Sequence, residues 1–146
     1  MTKTFQQVRK YLDDIPDINR GGCGIAALAM YYAANKEGKK VGIAYLYGSW
    51  FEDDNIEQNE MFKKGKSKVA GSCSHVLVRV GNRYYDSEGV VNLKNIKKRY
   101  TVDKDITKKH LKASINNLDA WNDDFNRRKY LSKIEKFIGK KLKVKA

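Results

Sequence analysis

The chain has 146 residues, 41% of them hydrophobic and 11% aromatic, with a single proline, which suits one domain over 1–146 with its own apolar core. No apolar run approaches the ~20 residues needed to cross a bilayer, and the polar start MTKTFQQVRKYLDD lacks an apolar h-region, so the expected location is cytoplasmic, or the host cytoplasm if the source is viral. The formal net charge of +13 is uneven: residues 94–146 carry 17 basic and 6 acidic side chains, residues 1–93 carry 13 and 11. The C-terminal third is thus a candidate surface for an acidic protein or nucleic acid, against the plainer reading of a lysine-rich solvated helical face.

In chain order, residues 2–13 read as a short helix with Phe5, Val8 and Leu12 at helical spacing. Pro16 ends it, and 17–22 form a loop. Gly24–Asn35 is a second helix, rich in alanine and apolar on most sides, which marks it as buried; Gly38 stops it. Residues 41–70 are ambiguous. VGIAYLYGSWF is apolar and reads as short helix or strand; EDDNIEQNEMFKKGKSK is polar and reads as a loop or second short helix, with a lid or substrate groove as its candidate role.

HVLVRV at 75–80 is a clear strand. Gly81-Asn82 is a two-residue hairpin turn, RYYDS returns as the partner strand, and Val90-Val91 begins another. From Asn92 onward the pattern is helical. Asn92 caps LKNIKKRY, Asp103 or Asp105 opens ITKKHLKASI, and 118–138 place Leu118, Trp121, Phe125, Leu131, Ile134, Phe137 and Ile138 largely on one face. The tail 139–146 is expected to fray. The fold class is α+β, with a small antiparallel sheet and a helical C-terminal third.

The chemistry concentrates on NRGGCGIAALAM at 19–30. The glycines bring Cys23 to a helix N-terminus, where unpaired amides carry partial positive charge and favour a thiolate. Those amides also suit an oxyanion. The nucleophile needs a base, and His75, on a strand, is a better candidate than His110, whose lysine-rich setting reads as surface. If Gly81-Asn82 is a two-residue turn, Val80 faces Arg83, Val78 faces Tyr85 and Leu77 faces Asp86. Asp86 then shares a face with His75 as its diagonal neighbour, within side-chain reach. Glu88, opposite His75 in that register, is the rival. Tyr45, Tyr47, Trp50, Tyr84 and Tyr85 read as core or groove lining. Cys73 reads as structural. Two cysteines and two histidines are too few and too poorly spaced to suggest zinc, so neither metal nor cofactor is expected.

This order of Cys, His and Asp resembles the papain-like cysteine hydrolases. CGIAAL at 23–28, HVLVRV at 75–80 and YYDSEG at 84–89 are locally similar to the peptidases that process double-glycine bacteriocin leaders, and RGGC at 20–23 is similar to the cysteine motif of arylamine N-acetyltransferases. The resemblance implies a papain-like fold, Cys23 as nucleophile, His75 as general base and acid, and Asp86 as its orienter. It implies a peptidase or amidase with a peptide or protein substrate, working through a thioester. The glutamine that such enzymes place shortly before the cysteine is missing; Asn19, Gln6 or Gln7 are the substitutes. Two rival readings stand beside it: an acyltransferase using the same triad, and a non-catalytic basic module on the same fold.

Overall fold

The computed structural model describes residues 3–16, 18, 22–48, 52–116 and 127–142. In chain order these form α1 (Lys3–Asp13), α2 (Cys23–Lys36), β1 (Val41–Tyr47), α3 (Glu52–Lys63), β2 (His75–Val80), β3 (Arg83–Asp86), β4 (Gly89–Val91), α4 (Leu93–Lys97), β5 (Thr101–Ile106), α5 (Lys108–Asn116) and α6 (Arg127–Phe137). A π-helical turn, Ile138–Leu142, continues α6. The class is α+β. The strands make one antiparallel sheet in the order β4-β3-β2-β1-β5.

The hairpin forms as its turn residues dictate. Gly81 takes φ +63°, and the pairs Val80–Arg83, Arg79–Tyr84 and Val78–Tyr85 follow. The register stops there. On their other sides Asp86 pairs with Gly89 of β4 and His75 with Leu46 of β1; β3 ends at Asp86, so Glu88 lies in the β3–β4 turn and not opposite His75.

The sheet is covered on both sides at its centre. Ile43, Tyr45, Tyr47, Val76, Val78 and Tyr85 join the main core beneath α2. Ala44, Leu46 and Leu77 join a smaller cluster with Ile96 and Tyr100 on the other face. Burial on both faces explains why VGIAYLY shows no alternation: a strand with two apolar sides reads as a continuous run. Helix α2 is buried along nearly its whole length, with α1, α5 and α6 packed around it. The rings of Tyr11 on α1 and Phe137 on α6 stack at 4.3 Å, joining the first helix to the last.

Two expectations are corrected. Asp103 and Asp105 do not open a helix; they lie in β5, and α5 starts later, with the Thr107 hydroxyl accepting the His110 amide at 3.0 Å. The C-terminal third is therefore interrupted by a strand, one whose charges suit an unpaired sheet edge. Of the tail 139–146, residues 139–142 are placed in the π-helical turn that continues the last helix, and 143–146 lie outside the described residues. The Asn92 cap forms as expected, its Oδ1 accepting from the Lys94 and Asn95 amides at 3.0 and 3.4 Å, although α4 is only one turn and a half long. Of the 118–138 helix, residues 118–126, with Leu118, Trp121 and Phe125, lie outside the described residues.

A buried polar network ties α3, α5 and the loop before β2 to the sheet. Asn59, 0% exposed, donates from Nδ2 to the Tyr47 hydroxyl at 2.8 Å. Its Oδ1 accepts from the Gly71 amide at 2.8 Å and from His110 Nε2 at 2.7 Å. Beside it the Tyr45 hydroxyl donates to Ser114 Oγ at 2.7 Å, and that hydroxyl donates toward the Gly71 carbonyl at 3.0 Å. Removing one member strands the others without water. Asn59→Ala is therefore expected to lower stability by about 2–4 kcal/mol, read as the shift of the urea unfolding transition at constant slope.

Candidate active site

Cys23 is the first residue of α2. The residue before it, Gly22, occupies the cap position with φ −104° and ψ 7° and makes no side-chain cap hydrogen bond, since it has no side chain to cap with. The helix closes its first turn by the Ala26 amide donating to the Gly22 carbonyl at 2.9 Å. The amides of Cys23, Gly24 and Ile25 precede any intrahelical acceptor. Among the described residues, no capping side chain stands between the positive end of the helix and the thiol. Cys23 itself is 4% exposed.

His75 opens β2, at the end of the sheet. Its backbone is fixed from two sides. The preceding Ser74 donates its amide to the Leu46 carbonyl at 2.7 Å, and its hydroxyl accepts the Gly48 amide at 2.9 Å. The position of Gly48 has no room for a side chain, since a Cβ there would overlap the Tyr100 ring. From the same segment Cys73 donates its S–H to the His75 carbonyl at 3.3 Å.

Asp86 closes β3 and uses both carboxylate oxygens. Oδ1 accepts the Glu88 amide at 2.8 Å, which fixes the rotamer within the turn. Oδ2 meets His75 Nε2 at 3.1 Å. The side chains of His75 and Asp86 are 23% and 17% exposed, so this pair is only partly screened by water. Burial alone would lower the His75 pKa, but the hydrogen bond it donates to Asp86, followed by the nearby Cys23 side chain, pushes it up to about 9. Burial alone would raise the Asp86 carboxyl, but the hydrogen bonds from His75 and the Glu88 amide hold it below its ordinary value. With Nε2 committed to Asp86, Nδ1 is the ring nitrogen left for the thiol.

The structure thus brings Cys23, His75 and Asp86 together. Glu88 is exposed and meets the group only through its backbone. Gln6 and Gln7 sit on the exposed side of α1 and make no hydrogen bond to the triad among the described residues. Asn19 and Trp50 lie outside the described residues. Of the aromatics, Tyr45, Tyr47 and Tyr85 are core, whereas Tyr84 is half-buried against the smaller cluster. Burial and then the charge of Cys23 raise the Cys73 thiol well above its ordinary pKa, which keeps it protonated and fits a structural role.

His110 is corrected outright. It is 1% exposed, packed between the rings of Phe62 and Tyr45 at 4.8 and 5.3 Å, and its pKa is lowered to about 4 by burial and then by Lys63. Its partner Asn59 gave no signal in the sequence, being one polar residue among many in EDDNIEQNE. Among the described residues no cluster of histidine, cysteine and carboxylate side chains could hold a metal ion, and no helix is long and apolar enough to cross a membrane.

Compared with known proteins, the chain matches no family model, no curated protein and no solved structure.

The raised pKa of His75 fixes the sign of a pH effect. Folded protein keeps a proton that the unfolded chain releases near pH 6.5, so the stabilisation is complete below about 6.5 and is lost as the pH rises through about 9. Asp86→Asn removes the largest favourable contribution to that proton. The expected result is an imidazole titration near pH 9 in the wild type, followed by NMR, that moves toward the ordinary histidine value in Asp86→Asn. The loss of stability between pH 6.5 and 9 should flatten with it.

Proposed function

We propose that the chain is a cysteine hydrolase of the papain-like kind, a peptidase or amidase acting through Cys23, His75 and Asp86. The observation that carries this reading is one imidazole held at Nε2 by Asp86 at 3.1 Å while the thiol side chain at the start of α2 acts on the same ring. That arrangement supports nucleophile, base and orienter in the relation acyl transfer needs.

In this mechanism the Cys23 proton resides on His75, giving a thiolate and an imidazolium. The sulfur attacks the substrate carbonyl carbon and forms a C–S bond. The carbonyl oxygen becomes an oxyanion, for which the first-turn amides of α2 are the available donors. Collapse breaks the C–N bond as His75 gives its proton to the leaving amine, leaving a thioester. Water then loses a proton to His75 and attacks the thioester, releasing the acid, and the proton on His75 again faces the thiolate. Asp86 stays ionised and keeps the ring oriented. Because His75 must be protonated to release the amine, activity falls on the alkaline side as its proton is lost near pH 9.

The test uses thiol chemistry, which needs no knowledge of the substrate. In a Cys73→Ser background, Cys23 is expected to be alkylated by iodoacetamide at pH 6 on the order of tenfold or more faster than in the same protein carrying His75→Ala. The ratio should shrink as the pH passes the ordinary thiol range near 8.5. Equal rates in the two proteins at pH 6 would dismiss the ion pair and the hydrolase reading with it. A Cys23→Ala protein should fold normally and show no activity.

A further inference from the structure

A second site lies away from the triad, around the histidine that the mechanism does not use. A cavity of about 570 Å³ opens between the C-terminal end of α3 and the N-terminal end of α5, with Lys63, Ser67, Lys68, Asp105, Lys109 and His110 in its wall. No triad residue lines it.

The proton on His110 can be placed from its neighbours. The Gly71 amide donates to Asn59 Oδ1, and Asn59 Nδ2 donates to the Tyr47 hydroxyl, so the Asn59 amide cannot be flipped. Its Oδ1 faces His110 Nε2 at 2.7 Å, which puts the hydrogen on Nε2. The ring is neutral, with its pKa lowered to about 4, so Nδ1 carries a bare lone pair. That atom is buried and has no hydrogen-bond partner among the described residues. A buried acceptor without a donor is costly, and native structures rarely keep one unless something supplies the hydrogen.

Three lysines and one aspartate supply the charge of the wall. Lys63 is engaged by Asp103 at 2.6 Å and Glu60 at 3.3 Å. Lys68 and Lys109 are exposed and make no ion pair among the described residues. Thr107 takes the His110 amide, which leaves the Lys108 and Lys109 amides at the positive end of α5. Asp105 is the one acidic liner. It disfavours a bare anion and accepts from a hydroxyl.

We propose that this cavity binds a small phosphate ester bearing hydroxyl groups, of the sugar-phosphate or nucleotide class, with its phosphate between Lys68 and Lys109 at the start of α5 and a hydroxyl donating to His110 Nδ1. Each part of the ligand answers one part of the wall: negative charge for the two lysines, donors for the imidazole and for Asp105.

The experiment titrates the full chain with ribose 5-phosphate, and separately with inorganic phosphate and with ribose, by calorimetry and by ¹⁵N NMR of the His110 side chain. Saturable binding of ribose 5-phosphate is expected, with a change at the Nδ1 resonance, and weaker binding of either fragment. A Lys68→Ala/Lys109→Ala double variant should weaken it about tenfold while leaving the rate of Cys23 alkylation unchanged. Three results overturn the proposal: no saturable binding, equal affinity for phosphate and ribose 5-phosphate, or binding that leaves His110 Nδ1 or the double variant unaffected. None of them bears on Cys23, so the hydrolase reading stands or falls by its own test.

Discussion

Everything in this fold is arranged around the burial of α2. The helix is apolar on most sides, so it is stable only when enclosed, and the sheet, α1, α5 and α6 together provide the enclosure. Its alanines let the packing elements come close. Enclosure also fixes its axial position: one residue of slippage moves a helix by 1.5 Å, enough to carry Cys23 out of reach of a ring anchored on β2. The thiol and the imidazole come from different layers and meet because hydrophobic packing leaves α2 one place to lie. The site's geometry is therefore a product of the core more than of any polar contact within the site.

The two histidines show how far local surroundings divide one residue type. His75 faces a carboxylate and a thiol, and its pKa rises to about 9. His110 has a carboxamide where His75 has a carboxylate, and burial, then the Lys63 ammonium, takes its pKa down to about 4. Near neutral pH one is a cation and the other a neutral acceptor. Burial lowers both, and only at His75 does a carboxylate partner overcome it.

What was legible in the sequence was what short-range chemistry controls. Gly81-Asn82 fixed the hairpin register, the register put Asp86 on the face of His75, and Asn92 marked the start of α4. What was not legible depended on distant neighbours. VGIAYLY lost its strand signature because two separate clusters cover it. β5 was hidden by its charges, and a register shift against β1 between Ile43 and Tyr45 breaks the alternation that would have betrayed it. Asp103 and Asp105 then looked like helix caps. His110 reads as a surface residue from its lysine neighbours, and only Asn59, 51 positions away in the chain, makes its burial affordable.

Gly48 carries a consequence of a different order. It touches no reacting atom, yet its amide holds Ser74, and Ser74 sets the backbone from which His75 projects. The Tyr100 ring fills the space where its side chain would stand, and that ring belongs to the outer layer with Ile96 and Val102. The strand that carries His75 is therefore held from behind by the far face of the sheet. A substitution at this inert position would be felt at the imidazole as a change of aim, so the chain's tolerance to mutation is narrow at a residue with no chemistry of its own.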